Sequence, residues 1–312
     1  MQHLNFYAIR VPLKITPVIF LFFSCAVFSC STVPDTFLWQ HLEEGVGYTS
    51  AKIKIPSGKK LKIHAVKIDV DNAALEIIVN PVSGSENIIP PVTPQRLHVA
   101  GACVQWVLNP SARITSTTVS GFAKKYNCIA AINAGPFSPS NTKIGQDRQT
   151  SGIFISDGIL VSNADKFDAI VFYKNGGIEI LEQNKITNYD SIKNAVGGFY
   201  ILLENGNLFD HPNADTERHP RSVVGLSQDN KTIFFMTIDG RRLGNRGAFL
   251  DEAATLIRNL GAYTALNLDG GGSTALALNI NGKIKTVNKP VHKIIPGIER
   301  AVATCLGVVR VF

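Results

Sequence analysis

Two aspartates, each followed by glycine, close apolar runs in the C-terminal half of the chain: Asp239-Gly-Arg241 follows residues 232–238, and Asp269-Gly-Gly-Gly-Ser273 follows residues 264–268. Short apolar runs of this kind read as strands, so each carboxylate is expected at a strand's carboxyl end. Without Cβ atoms, Gly270, Gly271 and Gly272 can take positive φ and let peptide N–H groups approach a ligand, while Ser273 adds a hydroxyl. The expected product is an anion cradle beside a carboxylate. Arg221, in Arg218-His-Pro-Arg221, and Arg241 can each hold a phosphate by paired hydrogen bonds. Glu252 is a third candidate carboxylate in the first turn of an expected helix, where an acid also complements the helix dipole. Asn133 ends the apolar run 128–132 and can donate and accept at once, which suits holding a sugar hydroxyl or fixing a catalytic loop.

These types suit an anionic substrate that reacts through a cationic centre. Cleaving a glycosidic bond builds oxocarbenium charge at the anomeric carbon, which a carboxylate stabilises as nucleophile or as base for water. Asp269 is the principal candidate, with Asp239 or Glu252 as its partner. A phosphate leaving group needs less protonation than an alkoxide, so a strong general acid is dispensable. On residue types alone, phosphate-ester cleavage or a bound Ca²⁺ fits almost equally well. No cofactor is required by the sequence, and the metal question stays open.

For the two aspartates to share a crevice, residues 232–238 and 264–268 must run parallel, joined by a crossover through the helix expected at 249–260. That helix has Ala253, Leu256, Ile257 and Leu260 on one face, and Gly261 stops it. A second capped helix is expected at 115–126, with Lys124 and Lys125 in its last turn. Elsewhere turn chemistry dominates. Asp157-Gly158, Asn175-Gly176, Asn205-Gly206 and Asn281-Gly282 each separate two short apolar runs, Gln228-Asp-Asn230 tips another pair, and 61–70 is expected to pair with 74–79 across Asp71-Asn72. These turns are scaffold. Together they imply an α+β fold, a large and mostly antiparallel sheet system of hairpins with a few packed helices in a single domain. His64 lies on the polar face of 61–70 and reads as a solvated or satisfied histidine.

A chain of 312 residues with 45% apolar and 18% charged residues is that of a globular protein with a sizeable core, not a disordered one. Arg10 and Lys14 precede an apolar segment, 15–29, too short for a comfortable membrane span, so residues 1–30 read as an export signal. Val27-Phe-Ser-Cys30 resembles a bacterial lipobox, which would make Cys30 a lipidation site and place the protein on the cell envelope through a membrane anchor. Residues 31–59 then form a tether and an edge segment, 60–312 form the catalytic domain, and 96–109 is ambiguous between strand and loop. Beyond the leader, Cys103, Cys128 and Cys305 are odd in number and lack CxxC spacing, so buried thiols are expected in place of a zinc site or disulfide framework. The net charge of +7 is spread out, which does not require a nucleic-acid groove but is compatible with a polyanionic glycan.

Taken in order, Asn133-Ala-Gly-Pro-Phe137, Arg218-His-Pro-Arg221 with Gly225, Asp239-Gly-Arg241, Glu252, Asn267-Leu-Asp-Gly-Gly-Gly-Ser273 and Glu299-Arg300 resemble the phosphodiester glycosidase family over residues 60–312. The resemblance implies hydrolysis of a sugar-1-phosphodiester at its glycosidic C–O bond, releasing sugar and a phosphomonoester, on envelope or exopolysaccharide glycans. It implies catalytic roles among Asp269, Asp239 and Glu252, and substrate-binding roles for Asn133, Arg221, Arg241, Gly270, Gly271, Gly272, Ser273 and Arg300. Family members usually carry Asn-Gly-Gly-Phe-Phe where this chain has Ala134 and Pro136, which puts substrate preference in question. A noncatalytic phosphoglycan-binding lipoprotein and a metal-dependent phosphodiesterase that breaks P–O are the competing readings.

Overall fold

The computed structural model describes residues 37–55, 58–81, 114–140, 143–209, 217–292 and 297–311. The export leader with Cys30, the tether 31–36, the ambiguous stretch 96–109 and Cys103 lie outside the described residues. Of the described residues 48% lie in strands and 11% in helices, so sheets carry the fold, and the α+β, mostly antiparallel expectation holds.

The main sheet has eight strands in the order Gln40–Glu43, Val46–Lys54, Lys60–Asp69, Thr232–Ile238, Arg221–Leu226, Thr264–Asn267, Tyr200–Glu204 and Asn207–Leu208, every neighbour antiparallel. Beneath it lie two five-stranded sheets, one containing Leu276–Ile280, Ala130–Asn133 and Cys305–Arg310, the other Phe154–Ser156, Ile192–Gly197 and Asp168–Tyr173. The inner faces meet in one core, where Val66, Phe235 and Leu266 of the main sheet pack with Ile132, Leu306, Ile170 and Val196. Each such side chain contributes about 1.5–3 kcal/mol by leaving water. Cys128 and Cys305 are buried free thiols, and burial pushes Cys128 up to about 12.

The turns behave as their chemistry dictates. Asp157-Gly158, Asn205-Gly206 and Asn281-Gly282 all place both residues at positive φ, the two-residue geometry that matches strand twist. Helix α1, Val119–Lys125, is capped by Thr118, whose hydroxyl accepts from Gly121 N at 3.0 Å. Helix α2, Leu250–Asn259, covers the outer face of the main sheet with Ala253, Leu256 and Ile257 against Val223, Met236 and Ala265. It lies so close that a Cβ on Gly225 would stand 3.1 Å from Ile257 Cγ1.

Two expectations are corrected. Lys60–Asp69 does not form a hairpin with Leu75–Val79: it pairs with Val46–Lys54 and Thr232–Ile238, while Leu75–Val79 pairs with Cys305–Arg310 in another sheet. Lys60–Asp69 buries most of its residues and needs a neighbour on each edge, and the Asp69 and Asn72 side chains stabilise a turn that changes sheets as readily as one that returns. The boundary at residue 60 also moves, because Val46–Lys54 pairs with Lys60–Asp69 along its whole length and belongs to the main sheet.

Candidate active site

Thr264–Asn267 lies between Arg221–Leu226 and Tyr200–Glu204 and runs antiparallel to both. Where it ends, its two neighbours begin, so Tyr200 and Arg221 stand beside the Asp269 turn. Thr232–Ile238 lies one strand further on and runs parallel to Thr264–Asn267, with α2 in the crossover, as the motif order requires. The two Asp-Gly turns therefore occupy the same end of the sheet, about 10 Å apart across two strand spacings.

They do not open into the same space. A hollow of about 370 Å³ is lined by Asp269, Gly270, Gly271, Gly272, Asn267, Arg221, Arg241, Arg300, His219, Leu250 and the aromatics Phe167, Phe199 and Tyr200. Asp239 lines a neighbouring hollow, and Arg241 is common to both. Asp239 is 2% exposed, with Oδ1 accepting from Lys289 N at 2.9 Å and Oδ2 from the Arg242 guanidinium at 2.8 Å. It latches the 240–247 loop to the 287–289 segment. Glu252 takes a bidentate grip on Arg218 and accepts from Phe249 N at 3.1 Å, closing the first turn of α2. Both carboxylates are bound to an arginine and a backbone N–H, and neither lines the hollow that Asp269 lines.

Three further parts of the motif make internal hydrogen bonds. Asn133 is 0% exposed and fully engaged: its amide donates to Asp269 O at 2.6 Å and accepts from Ser222 Oγ at 2.7 Å and Ala275 N at 3.1 Å. It fixes the Asp269 turn. Ser273, also buried, bonds the Asp269 carboxylate and accepts from Arg300 at 3.3 Å, so it too positions its neighbours. Several N–H groups of the glycine turn are engaged within the protein. Asp269 N donates to Ala134 O, Gly270 N to the Asp269 carboxylate, Gly271 N to Pro220 O and Ser273 N to Gly270 O. Their smallness serves the arginines. A Cβ on Gly271 would stand 2.9 Å from the Arg241 guanidinium, and one on Gly272 only 2.5 Å from that of Arg300.

Electrostatics set Asp269 apart. Burial pushes its carboxyl up to about 6, against the opposing pull of Ser273, Arg300, the Gly270 N–H and Arg241. Arg300 is held below its usual range, first by burial, with Asp269 acting against this and Arg241 adding to it. Arg221 is 5% exposed and anchored through Ala248 O and Glu217 O. Arg241 meets His219 Nδ1 at 3.2 Å. Three guanidiniums thus face one carboxylate, and the wall is cationic. Among the described residues, no cluster of three His, Cys, Asp or Glu side chains is placed to hold a metal ion.

A family model described as phosphodiester glycosidase matches residues 126–309, which hold every motif named above. The chain belongs to the phosphodiester glycosidase family. It is 24% identical over 250 residues to the SPbeta prophage-derived uncharacterized protein YomE of Bacillus subtilis, covering 72% of this chain and 36% of that protein. It is 27% identical over 183 residues to the mouse N-acetylglucosamine-1-phosphodiester alpha-N-acetylglucosaminidase, covering 52% of this chain and 34% of that one. The chain thus spans about a third of the length of these curated relatives. Among solved structures, a hypothetical protein from Synechocystis shares the fold at a TM-score of 0.59 and 16% identity, over 88% of this chain and 63% of that one. The zebrafish N-acetylglucosamine-1-phosphodiester alpha-N-acetylglucosaminidase catalytic domain, auto-inhibited by its pro-peptide, does so at 0.56 and 20%, over 89% and 85%.

Ala134 and Pro136, where the family pattern differs, do not line the hollow. Ala134 packs into the core, and Gly135 N donates to Thr304 Oγ1 at 2.8 Å. Pro136 needs no N–H, because its carbonyl alone is used, by Ser151 N. Sequence reasoning missed the aromatic wall and two polar residues. Phe167 packs edge-on against Phe199 and Tyr200, with ring centres 5.3 and 5.9 Å away. Phe199 and Tyr200 were legible only as the start of a hairpin. His219 sat in view between Arg218 and Arg221. Asn267 interrupts an apolar strand; it is 3% exposed, and among the described residues its buried Oδ1 has no hydrogen-bond partner.

Proposed function

We propose that this phosphodiester glycosidase cleaves the glycosidic C–O bond of a sugar-1-phosphodiester in the Asp269 hollow, on glycans of the bacterial envelope or exopolysaccharide. Family membership supports glycosidase-type activity in general. The observation that carries the finer reading is a lone carboxylate, raised to about 6, facing three guanidiniums across an aromatic wall. The phosphate seats on Arg221, Arg241 and Arg300. The C–H face of the sugar ring lies on Phe167, Phe199 and Tyr200, and the orphan Asn267 Oδ1 accepts a hydrogen bond from a sugar hydroxyl.

As the bond to phosphate lengthens, positive charge grows on the anomeric carbon. The Asp269 carboxylate stabilises that charge directly, or takes the proton of the attacking water. The electron pair of the broken C–O bond leaves on the phosphate, which the arginines hold. One acid suffices, because the leaving group needs no strong proton donor.

The pH dependence follows from the same groups. Asp269 must be ionised to act, so kcat/KM rises with pH through about 6 in the free enzyme. Bound phosphate neutralises the arginines that favour the anion, so the limb in kcat lies at higher pH than the limb in kcat/KM. A profile that falls through this range would assign Asp269 the role of acid. The direct test is release of free sugar from a panel of sugar-1-phosphodiesters, including a UDP-sugar, in ¹⁸O water. The label enters the sugar if C–O breaks. Label in the phosphate would mean P–O cleavage and would overturn the proposal.

A further inference from the structure

The hollow beside the site, about 830 Å³, has no part in the reaction described above. Its wall carries Lys52, Lys60, Lys62, Lys289, Arg242 and the shared Arg241, against the single carboxylate of Asp239. Asp239 is already paired with Arg242 at 2.8 Å. Among the described residues none of the four lysines forms an ion pair, and Lys62 Nζ reaches only Ser50 Oγ at 3.1 Å.

The strand register shows how the chain assembles this surface. Lys52 lies directly opposite Lys62 on neighbouring strands of the main sheet, and both line the hollow. Like charges facing each other across a ladder are destabilising. The fold thus holds a repulsive pair where a neutral pair would be more stable, as a surface built to meet anions would. The neighbouring groups feel that field. His64, hydrogen-bonded to Tyr48, is pushed down to about 4, chiefly by burial and further by Lys62 and Arg242.

We propose that this groove holds the charged continuation of a polyanionic glycan whose scissile sugar-1-phosphodiester lies against Asp269, so that the substrate is a chain of sugar-phosphate units instead of a lone sugar nucleotide. The inference rests on the function proposed above. Arg241 links the two spaces and faces the phosphates on either side of it. The groove's wall offers lysines but no Phe, Tyr or Trp on which bases could stack, which favours a glycan over a single-stranded nucleic acid.

The test compares the full chain with a triple variant, Lys52→Gln, Lys60→Gln and Lys62→Gln, which relieves repulsion and is expected to fold. Sugar release is measured from a short sugar-1-phosphodiester and from a sugar-phosphate polymer. KM for the polymer should rise about tenfold with kcat retained, added salt should reproduce that rise in the unmodified chain, and the short substrate should be unaffected. A variant that treats both substrates as the unmodified chain does, or that loses both equally, overturns the proposal. Should the unmodified chain release no sugar from either, the reaction assignment fails, and inorganic polyphosphate then tests the groove alone. Salt-sensitive binding lost in the triple variant retains the groove, and binding unchanged by it removes the groove. Single-stranded DNA bound about tenfold more tightly than polyphosphate of equal charge would overturn the choice of a glycan.

Discussion

Asp239 and Asp269 end parallel strands at the same edge of one sheet, and each is followed by glycine, yet their surroundings give them different work. Asp239 has its oxygens occupied by Arg242 and the Lys289 N–H, and it joins two loops. Asp269 keeps a face toward an open hollow, and the cations near it, Arg241 and Arg300, are shared with that space. Both carboxyls are raised by burial. A raised carboxyl therefore does not by itself tell the two apart; the open face beside Arg241 and Arg300 does.

The sharpest way to break this comparison is to neutralise each acid in turn. Asp269→Asn should lower kcat by about 10³-fold, the scale of removing a group that meets charge in the transition state. Asp239→Ala should keep kcat for a short substrate within severalfold. An equal collapse of kcat in both variants would mean that Asp239 shares the chemistry. Next in size, Asn133→Ala removes three buried hydrogen bonds that tie the Asp269 turn to Ser222 and Ala275, and should cost about 3 kcal/mol in denaturant unfolding.

Stability should then separate the two aspartates by sign. The folded-state carboxyl of Asp269, near 6, lies above the ordinary value of 3.8, so the folded state binds the proton more tightly than the unfolded one. Stability is therefore lost as pH rises from about 4 to 6, and Asp269→Asn should recover about 3 kcal/mol well above pH 6 and nothing below pH 4. Asp239→Ala should instead destabilise by about 1–3 kcal/mol at neutral pH, because it leaves the Arg242 guanidinium and the Lys289 N–H without their acceptor. Urea titrations of both variants at pH 4 and pH 7.5 check this; a gain in both would erase the distinction. The smallest effect is expected at Asn267→Leu, which fills an orphan acceptor's place with apolar volume. It should leave stability near that of the parent chain and lower kcat/KM about tenfold through the lost sugar contact.

Much of the scaffold was legible before any coordinates. Asp157-Gly158, Asn205-Gly206 and Asn281-Gly282 announce their hairpins because left-handed φ is a local preference of those residues. The parallel crossover through α2 was legible as well, since the helix stripe and the two flanking apolar runs are local patterns. The partner of Lys60–Asp69 was not, because the same turn residues serve a hairpin and a change of sheet. Nor was the fate of the glycine run. Gly270 to Gly272 are as small as the motif suggests, but whether their N–H groups face a ligand or Pro220 O depends on what packs against them.

The amino-acid order by itself determined the strands, the turns, the two helices and the list of polar residues at the strand ends, because these follow from φ preferences and from the period of apolar side chains. Only the tertiary structure decided which polar residue was consumed by a neighbour and which was left facing a hollow. Asn133, Ser273, Glu252 and Asp239 were drawn into internal bonds, while Asn267, Phe167 and His219 joined the wall. Hydrogen-bond capacity is a property of the residue, but its saturation is a property of the partners that long-range packing brings within 3 Å.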